Sequence, residues 1–174
     1  LQDHILFTCD FFGSHLASHW LFDDEVGGML LHEAKRYYAE IMMPLRSFAE
    51  RALDKMRGLQ VKMIAPSHGP MYRNPKVIVD LYENWIQGPL KPKVIVVYVS
   101  MWGSTESLEK SVVDAIASEG VETIPYDLTV TDISHIATDL VDASGVIIGS
   151  PTFLGGSHPL VSYATELIRI LRPR

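Results

Sequence analysis

Two kinds of hydrophobic pattern run along the 174 residues. Short continuous apolar runs bounded by turn residues read as buried strands, and apolar positions recurring every three or four residues read as amphipathic helices. In the first half this predicts a strand at 5–8, a helix at 28–43, a second helix at 44–57 opened by Pro44, and a short strand at 61–64. A closing helix at 74–87 has Asn74 as N-cap and Pro75 in its first turn. The second half alternates more regularly: strand 94–99, helix 104–119, strand 123–126, a helical stretch 132–142, strand 146–149 and helix 159–171. Val94-Ile95-Val96-Val97 is apolar on both faces, as a central parallel strand covered by helices must be. Leu108, Val112, Ala115 and Ile116 fall at i, i+4, i+7 and i+8, which predicts the buried face of helix 104–119. Between the halves, Gly88-Pro89-Leu90-Lys91-Pro92 punctuates the chain, giving a first domain at 1–88, a connecting segment at 89–92 and a second domain at 93–174.

Composition narrows the class. With 47% hydrophobic and 21% charged residues and no low-complexity tract, the chain is globular, and its longest apolar run, Val94 to Val99, is far too short to span a bilayer. The net charge of −6 is uneven: residues 1–92 carry 10 Lys+Arg against 11 Asp+Glu, residues 93–174 only 5 against 10. Lys110 is the only cation between Lys93 and Arg169, so the second half has no basic patch for a nucleic-acid backbone. The single cysteine, Cys9, rules out a disulfide within the chain and any all-cysteine metal site; it reads as a small buried apolar residue, and the expected compartment is the reducing cytoplasm. A strand pattern begins almost at Leu1, and helix 159–171 is followed only by Arg172-Pro173-Arg174, so the chain reads as an internal segment of a longer protein.

Chemistry concentrates in the loops that follow strands. Ser100-Met101-Trp102-Gly103-Ser104-Thr105-Glu106 joins the first strand of the second half to its helix, where helix N–H groups and the positive dipole end favour an anion. Ser100, Ser104 and Thr105 add hydroxyls, and Gly103 allows a tight turn. The loop has neither the lysine of a P-loop nor the glycine spacing of a dinucleotide fingerprint. A hydroxyl-lined loop without a cation suits a flavin monophosphate; Ser104 equally suits a plain helix N-cap. A second loop, Ser150-Pro151-Thr152-Phe153-Leu154-Gly155-Gly156, follows the third strand, and in a 2-1-3 strand order it reaches the same sheet edge. Trp102 and Phe153 are placed to flank a flat ring, although each also suits ordinary packing.

These loops resemble those of a flavodoxin, and the Ser-Met-Trp-Gly-Ser-Thr-Glu form resembles the flavodoxin domain of flavodiiron proteins, or A-type flavoproteins, in which Trp102 stands where ordinary flavodoxins carry a hydroxyl. The resemblance implies an α/β fold: the C-terminal part of a metallo-β-lactamase-like αββα domain, followed by the first half of a flavodoxin-like doubly wound parallel sheet. It extends to the first half of the chain. Leu6-Phe7-Thr8-Cys9-Asp10-Phe11-Phe12-Gly13-Ser14-His15 resembles the family segment whose aspartate bridges two metals, and Ala65-Pro66-Ser67-His68-Gly69-Pro70 its last-ligand loop. A strand-end carboxylate can give one oxygen to each of two cations, and a neutral imidazole completes one shell. Taken singly, Asp10 also suits a turn and His68 an exposed surface position. His15, five residues beyond Asp10, suits a supporting or proton-handling place near the metals or a structural one.

The family's His-x-Glu-x-Asp-His cluster and one further histidine have no counterpart in this chain. The resemblance implies FMN and two irons as cofactors, reduction of dioxygen or nitric oxide, rubredoxin or a reduced deazaflavin coenzyme as donor, and a head-to-tail homodimer. Two alternatives stay open: a flavodoxin-type electron carrier with a non-catalytic lactamase-like domain, and a zinc-dependent hydrolase fused to a flavodoxin domain. Nucleic-acid and membrane partners are not expected.

Overall fold

Strand β1 (Ile5–Cys9) pairs in parallel with β2 (Met63–Pro66), Ile5 opposite Met63 and Phe7 opposite Ala65, with a register shift between Phe7 and Cys9. The computed structural model describes residues 3–174 and divides into two compact units between Gly88 and Pro89. In the first unit β1 is followed by α1 (Asp23–Val26), a short helix the sequence pattern does not predict, and by α2 (Met29–Tyr37). The helix expected at 28–43 does not run through: a π-helical turn, Tyr38–Met42, and a 3₁₀ turn, Met43–Leu45, intervene before α3 (Arg46–Met56). Pro44 has no N–H to continue the α-helical ladder, and the extra residue is taken up in the wide turn just before it. After β2, α4 (Pro75–Gln87) closes the unit.

An aromatic cluster forms the first unit's core. Tyr38 and Tyr82 stand edge to face with ring centroids 5.2 Å apart, Trp85 lies 5.3 Å from each, and Phe12, fully buried, packs 4.7 Å from Tyr82. Phe12 therefore anchors the loop after β1 directly to the core.

The second unit is built on β3 (Lys91–Tyr98), flanked in parallel by β4 (Glu122–Asp127) and β5 (Ala143–Gly149), in the order β4-β3-β5. Tyr98 stands opposite both Asp127 and Gly149, so the three strands end at one level. Helices α5 (Ser104–Ser118), α6 (Ile133–Leu140) and α7 (Pro159–Leu171) complete the alternation. Lys91 and Pro92, expected in the connecting segment, already belong to β3. The loop expected at 150–156 is largely a tight antiparallel hairpin of β6 (Thr152–Phe153) and β7 (Gly156–Ser157), turned by Leu154 and Gly155, both at positive φ.

Helix α5 departs most from expectation. Its buried residue is Glu109, while Leu108 is exposed and Val112 and Ile116 are half-buried. Among the described residues β5 pairs with no strand on its far side, so Leu108 and Val112 share with Ile147 and Ile148 an open apolar groove of about 90 Å³. Below the sheet, Lys93 is only 3% exposed and pairs with Asp142 at 2.5 Å and Asp139 at 3.0 Å. Asp142 also pairs with Lys91 at 2.8 Å, and Asp139 accepts a hydrogen bond from the Tyr126 hydroxyl. Burial opposes the Lys93 charge, but the bonds to Asp142 and Asp139 outweigh it and hold the pKa above the ordinary lysine value.

Candidate functional site

The two candidate sites lie in separate units, each on loops that leave the carboxyl ends of parallel strands. In the first unit, Asp10 follows β1 and His68 follows β2, and the loops are stitched together by backbone bonds: Ser67 N–H to the Cys9 carbonyl at 2.7 Å and Ser14 N–H to the His68 carbonyl at 3.2 Å. Inside the first loop, Phe11 N–H bonds to the Thr8 carbonyl and Gly13 N–H to that of Asp10. These turns require left-handed backbone at Cys9 (φ 51°) and Phe12 (φ 68°), conformations that cost side-chain-bearing residues about 1–3 kcal/mol each and persist only where surrounding contacts enforce them. Here the buried Phe12 ring and the stitching bonds do so. One consequence corrects the sequence reading: Cys9 is exposed rather than a buried apolar residue.

The outcome is that His68 Nε2 stands 3.3 Å from Asp10 Oδ1, with the two side chains 55% and 61% exposed. Both line an open cleft of about 570 Å³ together with Ser14, His15, Tyr37 and Ser67. Half-exposed carboxylate and imidazole groups facing each other are a donor set suited to a borderline divalent metal such as iron. Among the described residues no cluster of three or more His, Cys, Asp or Glu side chains is arranged around one ion, so this pair supplies two ligands of any set. His15 lies on the cleft wall, its Nε2 3.0 Å from Glu40 Oε2, and Glu40 is braced by Arg36. Tyr37 was not anticipated. Its ring sits 5.0 Å from that of His15 and 5.8 Å from that of His68; burial first, and then the Asp10 charge, raise its phenol pKa, leaving a hydroxyl that keeps its proton. Tyr37 and Tyr38 are both buried, so no alternation in the helical pattern marks out Tyr37 as the one beside the cleft.

In the second unit the equal strand ends bring the two flavin-type loops side by side, with Val99 N–H bonded to the Gly149 carbonyl at 3.2 Å. Gly103, at φ 84°, is the N-cap of α5, so Ser104 is the first helical residue and not the cap. The N–H groups of Ser104, Thr105 and Glu106 have no carbonyl of their own helix to bond, and nothing would lie within 4 Å of a Cβ at Gly103, leaving the approach open. Ser100 Oγ accepts from Gly103 N–H at 3.1 Å and so shapes the turn. The Thr105 methyl lies against Gly149, 3.3 Å from where a Cβ there would be. This open helix N-terminus fits a phosphate group.

The second loop is held by its own hydrogen bonds. Ser150 Oγ accepts from His158 N–H and donates to the Pro151 carbonyl, closing the hairpin from below. Phe153 packs edge to face on His158 with ring centroids 5.6 Å apart. Trp102, 88% exposed, Met101, and Leu154, 94% exposed at the hairpin tip, are the apolar side chains these loops present outward. Thr152 and Gly156 form the hairpin pairs with Ser157 and Phe153.

No family model matches the chain. Individual relatives do. It is 35% identical to a nitric oxide reductase of Moorella thermoacetica, over 99% of this chain and 44% of that protein. Among solved structures, the rubredoxin oxygen:oxidoreductase of Desulfovibrio gigas superposes with a TM-score of 0.95 at 28% identity, over 99% of this chain and 45% of the other. The flavodiiron protein of Giardia intestinalis superposes with a TM-score of 0.92 at 30% identity, over 98% and 42%. The chain thus spans somewhat under half the length of the proteins it matches, and nearly all of it, both units included, takes part in the match. By sequence and by fold, this chain belongs to the flavodiiron protein family.

Proposed function

We propose that these residues belong to an oxidoreductase that reduces dioxygen to water, nitric oxide to nitrous oxide, or both, with electrons passing from FMN to a pair of irons. The observation that carries the reading is the Asp10–His68 pair, held 3.3 Å apart on stitched strand-end loops in a family whose members are named for flavin and two irons. When bound, the flavin stores and releases electrons and the irons supply the Lewis-acid site for the diatomic substrate. Asp10 would bridge the metals and His68 would complete one shell. Tyr37 lines the cleft wall beside Asp10 and His68, and reduction of dioxygen to water by four electrons would draw four protons through this cleft. In the second unit, the N–H groups of Ser104, Thr105 and Glu106, with the hydroxyls of Ser100, Ser104 and Thr105, would hold the flavin phosphate. Ser150, Pro151, Thr152, Phe153, Leu154, Gly155 and Gly156 would wall the ring side.

Names such as nitric oxide reductase and flavodiiron protein favour iron over zinc and reduction over hydrolysis. A rubredoxin or a reduced deazaflavin would deliver electrons, and a head-to-tail homodimer would bring the flavin of one subunit to the metals of the other. Among the described residues no helix is long and apolar enough to cross a membrane. The test is anaerobic mixing of the full-length protein, its flavin pre-reduced, with dioxygen or nitric oxide. Flavin reoxidation in step with product formation supports the reading, and a reduced flavin left untouched by both gases defeats it.

A further inference from the structure

Beside the two ligand loops lies a side chain that the proposed chemistry does not use. Ser14 is 3% exposed, its N–H bonds to the His68 carbonyl, and its hydroxyl is buried with no hydrogen-bond partner. That hydroxyl occupies the space next to Gly69, where a Cβ would fall 2.0 Å from Ser14 Oγ and 3.2 Å from Ser14 Cβ; Gly69 itself is at φ 79°. On the other side of the same loop a Cβ at Gly13 would fall 2.8 Å from Tyr37 Cζ. The Gly13-Ser14 segment is thus a wedge between the Tyr37 ring and the turn carrying His68, with a glycine at each contact fixing its thickness.

An unpartnered buried hydroxyl costs folding free energy, and alanine at the same place would avoid that cost. Ser14 is therefore poorly explained as a stabilising residue. Its Oγ fills the space into which a side chain at Gly69 would project. We propose that Ser14 is a positioning residue that sets the separation of His68 from Asp10, and hence the geometry of one metal of the pair; this rests on the metal-ligand reading of those two residues.

The test uses the full-length protein loaded with ⁵⁷Fe, comparing wild type, Ser14→Ala, Gly69→Ala and the double variant. For Ser14→Ala the expected apoprotein melting temperature is unchanged or higher and FMN content is unchanged. Iron should be lost to a chelator about 10–100-fold faster, the range typical of lost support behind a ligand. The Mössbauer quadrupole splitting of one iron should change while the other keeps its value. Gly69→Ala should lose iron faster still, and Ser14→Ala added to it should recover part of that loss, because the removed oxygen makes room for the new methyl. Wild-type iron release and spectra in Ser14→Ala, or strictly additive effects in the double variant, would overturn the proposal. So would a lowered apoprotein melting temperature in Ser14→Ala, which would show that the residue serves the fold. A wild-type protein holding no iron pair would instead remove the metal reading itself, and the proposal with it.

Discussion

Removing hydroxyls from the first turn of α5 gives a sharp test of the flavin site. Ser104→Ala and Thr105→Val, made in the full-length protein, each delete one hydroxyl while leaving the backbone N–H groups in place. Ser104 is exposed, so its loss should barely affect folding. Thr105 carries a methyl packed beside Gly149, and valine keeps that methyl while discarding the oxygen. A hydrogen bond to a charged group is worth about 1.5–3 kcal/mol, so each variant should bind FMN about 10–150-fold more weakly. Binding should weaken without vanishing, since the helix dipole and N–H groups remain. Ser107→Ala, the next hydroxyl along the same helix, is the control and should bind as wild type does. Titrating each apoprotein with FMN by fluorescence quenching reads the outcome. Affinity within twofold of wild type in both variants would mean that neither hydroxyl contacts the phosphate, and the assignment of Ser104 and Thr105 side chains to the flavin site would fall.

Other outcomes follow from single side chains. Lys93→Met leaves buried Asp142 with Lys91 as its lysine partner; unfolding by denaturant should show a loss of about 2–4 kcal/mol, toward the lower part of what breaking a buried ion pair costs. Because the Lys93 pKa is raised on folding, its contribution is fully present below the unfolded-state value of about 10.4 and fades as pH rises through the higher folded value, so an alkaline fall in melting temperature should be blunted in Lys93→Met. Gly103→Ala puts a side chain at φ 84° and should cost about 1–2 kcal/mol of stability, measured by thermal unfolding.

Where local pattern and tertiary demand agree, the fold is legible from the chain. Val94 to Val97 announces a central strand, Pro159 opens a helix that ends at Leu171, and the break at Gly88-Pro89 is where the units divide. The loops after β1, β2, β3 and β5 could be placed because parallel strands put their carboxyl ends together. What the pattern missed depends on neighbours far away in sequence. Cys9 resembles a buried residue by type, but the turn that presents Asp10 forces it into left-handed backbone and out to solvent. The apolar stripe of α5 implies burial, yet the strand that would continue past β5 is absent among the described residues, and Glu109 rather than Leu108 is covered. Glu40, within the π-helical turn at Tyr38–Met42, meets His15 across 25 residues, a contact no local spacing encodes. The hairpin at 152–157 was hidden because Leu154 occupies a positive-φ corner where glycine or asparagine is the usual signal.

The claim that joins the two units is that Asp10 holds metal while separate loops hold flavin. Asp10→Ala in the full-length protein, assayed for iron and FMN on the same sample, addresses it directly. If Asp10 bridges two irons, the variant removes one ligand from each: iron should fall to trace levels and turnover of dioxygen or nitric oxide should cease, while FMN content and its reduction by the donor stay at wild-type levels. Two irons per chain with near-normal turnover in Asp10→Ala would contradict the account.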